Sequence, residues 1–265
     1  MPSSFHLDLQ ALVIALALIA PRVLVCLTIL PGLGLSVLTG MAKRAAALAI
    51  ALPAVVPTFY AVRMQPPDLV LGIALAGKEA MIGLLLGTLM SIPFWVLQSI
   101  GAVFDNQRAA IPTPASNSAV DRDANTVGAA LIQAAVIVMV QAGLFVTLIR
   151  ILIESYGAWP AHALAPPFEP GQFDVVLRRF GDLFVHIVVY GAPVILPLLL
   201  IEFGFALIGV FAQNLQVTFA SAPVKTLVGL FILLVYWPTL FHHIAGDFTR
   251  LLELAPSLMQ AAPRP

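Results

Sequence analysis

Hydrophobic and polar positions alternate along this chain in blocks, not in a short period. Long apolar runs are separated by single charges or short polar segments. A helix needs about 20 apolar residues to cross the hydrocarbon core of a bilayer, and several runs approach that length. Residues 9–30 form the first, interrupted only by Arg22, and residues 45–62 form the second, bounded by Lys43, Arg44 and Arg63. The third spans 80–104 behind Lys78 and Glu79, with an apolar lead-in at 69–76 that either extends it or stands as a short separate helix. Residues 124–149 make the fourth and 183–201 the fifth, stopped by Glu202. The stretch 203–224 lacks charge but carries Gln213, Asn214, Gln216 and Ser221, and a last apolar run covers 226–246. The pattern predicts an all-α, polytopic membrane protein of about six apolar helices or helical hairpins. Prolines 53, 57, 93, 193, 197 and 238 lie inside the runs. Each removes a backbone hydrogen bond and favours a kink.

The polar intervals read as an irregular, Pro- and Asn-bearing loop at 105–123, a Pro-rich interval at 154–182 with an amphipathic piece near 173–180, and a solvated tail at 247–265. None is long enough to fold alone, so residues 1–265 are expected to form a single membrane-embedded domain. The first ten residues carry no Lys or Arg and the apolar run continues past Arg22. A retained first helix is therefore expected in place of a cleaved leader.

Composition narrows the class. Apolar residues make up 60% of the chain and charged residues 10%, against about 45–50% and about 25% in soluble domains. Mean hydropathy is +1.00. Thirteen basic and thirteen acidic residues cancel, so no global field recruits nucleic acid. Cys26 is the single cysteine, which excludes an intrachain disulfide.

Candidate chemistry is sparse. The chain has no phosphate-binding G-x-x-x-x-G-K-[ST] and no H-E-x-x-H. His6, His162, His186 and the pair His242–His243 are scattered, and adjacent helical residues point about 100° apart and do not grip one metal. No enzyme activity, cofactor or metal is expected. Arg22, Lys78, Glu79, Glu202 and Lys225 abut or interrupt apolar runs, and each costs about 2.5–3.5 kcal/mol if it faces lipid. Lys78 and Glu79 are sequence neighbours and diverge on a helix, so their partners are expected on another helix or another subunit, with snorkelling to the interface as the plain alternative. Gly83 and Gly87 form G-x-x-x-G, which permits close helix approach. The cluster Asp105, Asn106, Gln107, Arg108 leads into a small-residue, Pro-bearing stretch. From its composition that stretch is either an exposed connector or a segment lining an aqueous path.

Read together, these motifs resemble the FliR/SctT family of type III export-apparatus membrane proteins. Lys78-Glu79-Ala80-Met81-Ile82-Gly83, Gly87, Gly101 and Asp105-Asn106-Gln107-Arg108 carry the resemblance, as do Asn214-Leu215-Gln216 and Ala222-Pro223-Val224-Lys225. Glu154-Ser155-Tyr156-Gly157-Ala158-Trp159-Pro160 looks like the injectisome branch, the YscT/SpaR/HrcT proteins. The motifs keep family order over about residues 15–245. Ala109 departs from the pattern, where Gly is expected after the Gln-Arg pair. The resemblance implies a structural and gating subunit of the inner-membrane export gate, assembled with the small membrane components R and S. The U component and the large export-gate protein V would associate with it, and unfolded substrate proteins would pass through. It implies that Asp105, Gln107, Arg108, Ala109, Ile111, Pro112 and Pro114 belong to a loop that closes the channel at rest. Lys78, Glu79 and Lys225 would lie at subunit contacts, and Gly83 and Gly87 would serve helix packing. The competing class is a secondary transporter for a small solute, which would show inverted repeats and midplane ligand residues; neither stands out in the sequence.

Overall fold

A computed structural model describes residues 2–31, 40–108, 126–164, 172–211 and 217–260. Helix α1 is Pro2–Ile29, α2 Gly40–Ala51, α3 Val55–Met64, α4 Leu69–Arg108, α5 Thr126–Gln141, α6 Leu144–Ala158, α7 Gln172–Phe211 and α8 Val217–Gln260. Five helical segments are long and apolar enough to cross a membrane, and six if a bent pair counts as one span. The described residues contain no strand, which follows from backbone satisfaction: in hydrocarbon, a helix is the one segment that bonds all its own N–H and C=O groups.

Several boundaries differ from the sequence reading, each for a local reason. The lead-in at 69–76 joins the third run, so α4 is one 40-residue helix that passes through Pro93 and ends after the Asp105–Arg108 cluster. The polar stretch 203–224 is not a span of its own: its first part closes α7 and its last part opens α8. The fourth run divides in two. Gly143 has φ 72°, a left-handed conformation that glycine adopts without a Cβ clash, and the halves Thr126–Gln141 and Leu144–Ala158 are bent by 78°. The Gly143 N–H donates to the Val140 carbonyl, and the Gly143 carbonyl accepts from the Val146 N–H. One residue thus closes α5 and opens α6.

Proline has a mixed effect. A 3-10 turn, Leu52–Ala54, separates α2 from α3 around Pro53, whereas α1, α4 and α7 continue through Pro21, Pro93, Pro193 and Pro197. The tail expected to be solvated from residue 247 instead continues α8 to Gln260. Asp247 and Phe248 are both buried.

The chain divides into two compact units. The first comprises Met1–Ser91, Met139–Arg178 and Phe248–Pro265; the second comprises Ile92–Val138 and Arg179–Asp247. In the first, Ala11, Leu18, Val62 and Leu75 form a core against which Ile14 and Phe59 pack. An exposed ion pair, Arg63 to Asp8 at 3.0 Å, links α3 to α1. In the second, the last turns of α4 carry the buried Phe94, Leu97, Ile100 and Phe104.

Candidate functional site: two buried charge clusters

Charge at membrane depth must be neutralised or it costs several kcal/mol, and each unit does this with its own cluster. In the first unit, Arg22 is fully buried on α1. Its Nε and Nη2 donate to Glu79 Oε2 and Oε1 at 2.7 and 2.8 Å, a bidentate fork. Nη1 donates to Ser155 Oγ at 2.9 Å, and Nη2 also reaches the Trp159 carbonyl at 2.7 Å. The guanidinium lies 4.1 Å from the centre of the Tyr156 ring. That ring is held by its hydroxyl, which donates to the Ile19 carbonyl.

Lys78 completes this cluster. Its Nζ donates to the carbonyls of Pro160, Ala161 and Ala163 at 2.8, 3.3 and 2.8 Å, and lies 2.8 Å from Glu79 Oε1. The expectation that Lys78 and Glu79 diverge too far to pair is therefore corrected. The flexible lysine stem curls back to its neighbour because the carbonyls it needs lie on the same side. One carboxylate serves two cations, and carbonyl oxygens just past the C-terminus of α6, where the helix dipole is negative, offset the rest. Trp159 Nε1 donates to the Ala163 carbonyl, which closes the turn that both cations hold.

Gly83 and Gly87 make this geometry possible. A Cβ on Gly83 would collide with the Arg22 carbonyl, and one on Gly87 would stand 3.0 Å from the Cys26 Cα. The G-x-x-x-G face of α4 is thus used inside the chain, against α1.

The second cluster surrounds the end of α4 in the second unit. Asp105 is buried, and its Oδ2 accepts the Val127 N–H at 2.9 Å in the first turn of α5. Lys225 on α8 is 1% exposed. Its Nζ donates to the Gln107 carbonyl at 3.3 Å and lies 3.3 Å from Glu202 Oε2 on α7. Gly101 meets Gly128 backbone to backbone, and Gly229 leaves room on α8 for the Phe104 ring. Nearby elements of the same unit carry a further pair, His186 Nδ1 to Asp247 Oδ2 at 3.0 Å, with His186 stacked on Tyr190 at 4.8 Å.

Of the residues singled out in the sequence, Lys78, Glu79, Gly83 and Gly87 come together in one cluster, and Asp105, Gln107 and Lys225 in the other. The three charges expected at subunit contacts all have partners inside the chain, so a contact with another subunit would add to these bonds. Arg108 ends α4. Ala109, Ile111, Pro112 and Pro114 lie outside the described residues. Ser155, Trp159 and Pro160 were visible as a motif, but nothing in the sequence tied them to Arg22 and Lys78. Val127, Gly128 and Gly229 carry no signal of their own. Among the described residues, no group of three or more His, Cys, Asp or Glu is placed to hold a metal ion.

Helices of spanning length, charges paired in the interior and wide apolar surfaces define a multi-pass membrane protein. More specifically, the model of the family described as bacterial export proteins, family 1, matches residues 13–251, and the chain belongs to that family, the FliR/SctT proteins of type III secretion export. It is 31% identical over 238 residues to the Yop proteins translocation protein T of Yersinia pestis, covering 89% of this chain and 90% of that protein. It is 31% identical over 236 residues to the surface presentation of antigens protein SpaR of Salmonella typhimurium, covering 88% and 87%. The secretion system apparatus protein SsaT of the same organism is 25% identical over 171 residues, covering 64% and 66%.

Proposed function

We propose that this chain is a structural and gating subunit of the inner-membrane export gate of a type III secretion system. In this reading it assembles with the R and S membrane components, with U and V associated, and unfolded proteins pass through the assembly without chemical change. The segment that follows α4 closes the channel at rest, with Asp105, Gln107 and Arg108 at its root and Ala109, Ile111, Pro112 and Pro114 along it. The observation that carries the reading is the likeness to the Yop proteins translocation protein T over 89% of this chain and 90% of that protein, together with the family match over residues 13–251.

The chain's own architecture supports it. The interior polar groups hold helices together, as Arg22, Glu79 and Lys78 do between α1, α4 and the turn after α6. Broad apolar faces on α7 and α8 remain uncovered, with Phe211 87% and Leu234 75% exposed. The test is co-expression of the tagged chain with and without the R and S components in mild detergent. A single large complex that forms only on co-expression is expected. A stable, monodisperse chain indifferent to both would overturn the reading in favour of a solute carrier.

A further inference from the structure

Helices α7 and α8 run antiparallel and are tied by charge at two levels. At one, Lys225 lies 3.3 Å from Glu202. At the other, His186 Nδ1 lies 3.0 Å from Asp247 Oδ2. From residue 225 to residue 247 is about 33 Å along α8, so the two ties are independent.

They also differ in kind. A lysine–carboxylate pair keeps both charges around neutral pH, whereas histidine is the side chain that changes charge between about pH 5 and 8. Asp247 is buried, and no N–H or O–H is aligned to donate to its Oδ2. A carboxylate so placed is costly unless a nearby charge balances it, and His186 supplies that charge only as imidazolium. The imidazole is held in position by stacking on Tyr190 at 4.8 Å, with the ring planes 19° apart, and Tyr190 packs in turn on His243 at 5.1 Å. The His186 side chain is 22% exposed. The apolar span of α7 begins at Gly181 and that of α8 finishes at Arg250, so the pair lies near one membrane face, where water can exchange the proton.

Few other ionisable side chains among those described surround the pair. On α7 they are Asp182, one turn before His186, and Tyr190. On α8 they are His242, His243 and Arg250, and His243 Nδ1 donates to the Thr239 carbonyl of its own helix. The parts of α4 and α5 in the same unit bring only Asp105 and Arg108, at the Lys225 end.

We propose that His186 and Asp247 form a proton-operated clasp between α7 and α8. The clasp is closed while His186 is protonated. As pH rises and the proton leaves, the two helices separate at this end while Lys225 and Glu202 hold the other. The inference uses α7 and α8 alone and does not depend on the gate reading.

The test uses the full-length chain, purified with the membrane partners it retains and placed in lipid nanodiscs. Spin labels are attached at Val189→Cys and Gly246→Cys. Both positions are exposed, and a Cβ at Gly246 meets nothing within 4 Å. Cys26 is buried and stays unlabelled. With the clasp intact, a longer-distance population is expected to grow roughly five-fold or more between about pH 5.5 and about pH 8, the range of ordinary conformational couplings. His186→Gln and Asp247→Asn are each expected to abolish that response. Replacing the other four histidines, His6, His162, His242 and His243, by Gln is expected to preserve it.

Distances that do not change with pH when the clasp is intact would overturn the proposal, and that measurement requires no substitution at the pair. A response that survives His186→Gln or Asp247→Asn would overturn it too. So would a response lost when His186 is the only histidine left.

Discussion

Glu79 shows how much one residue holds in this protein. It is fully buried, pairs with both Arg22 and Lys78, and through them fixes the turn at 159–163. Removing one partner from a buried ionic group costs about 3–5 kcal/mol, whereas replacing the whole group by well-packed apolar residues is often neutral. Glu79→Ala is therefore expected to lower the thermal transition of the detergent-solubilised protein or complex sharply. Glu79→Leu combined with Arg22→Met and Lys78→Met is expected to recover a substantial part of the loss. A triple variant no more stable than Glu79→Ala would show that the hydrogen bonds to the 159–163 turn, not charge balance, are what matter. At Gly83 the constraint is steric. Gly83→Val is expected to separate α1 from α4 and be worse than Gly87→Ala, because a Cβ on Gly83 would overlap the Arg22 backbone deeply, whereas one on Gly87 would stand 3.0 Å from the nearest Cys26 backbone atom. Comparing the yield of folded protein for the two variants checks the order.

At the scale of elements, two positions decide helix boundaries. Gly143 is the only residue among those described with positive φ, and a left-handed conformation costs a side-chain-bearing residue about 1–2 kcal/mol. Gly143→Val is expected to favour a continuous helix over residues 126–158 and to destabilise the first unit, which contains α6. The readout is the distance between spin labels placed at exposed sites on α5 and α6. An unchanged distance would mean that packing, not the glycine, sets the 78° bend. Asp105 acts at the start of α5, where four backbone N–H groups lack helical partners. Asp105→Ala is expected to cost about 0.5–2 kcal/mol through loss of the cap, with Asp105→Asn milder. Hydrogen exchange at residues 126–129 is the measurement that checks it. The apolar runs made the helices legible beforehand, but these joints were not. Gly143 looks like any glycine in an apolar run, and the cap joins residues 22 positions apart.

At the scale of the molecule, the two units leave much apolar surface uncovered. On α7 only 11% of the most apolar stretch is buried, and on α8 22%. Lipid satisfies an apolar surface, but Glu202 stands half-exposed on the same helix as that uncovered stretch, where a protein or aqueous neighbour is less costly than hydrocarbon. The chain alone is therefore expected to aggregate in mild detergent and to become monodisperse when its membrane partners are co-expressed. Size-exclusion chromatography of the two preparations distinguishes the cases.

The sequence by itself determined the solvent, the helical class and the family. Each of these rests on properties summed over tens of residues or on short motifs: apolar runs, and Lys78-Glu79 or Asp105-Asn106-Gln107-Arg108 in order. It also marked the charges that needed partners, since a buried charge is conspicuous wherever it stands. Only the tertiary structure decided who those partners are. Arg22 reaches Glu79 across 57 positions and Ser155 across 133, and Lys225 meets the Gln107 carbonyl across 118. Many backbone carbonyls are chemically equivalent acceptors, and a motif such as Ser155–Pro160 does not announce which cation it receives. The choice is made by close helix approach at Gly83, Gly101 and Gly229, a steric fact that depends on what lies opposite each glycine and is therefore invisible along the chain.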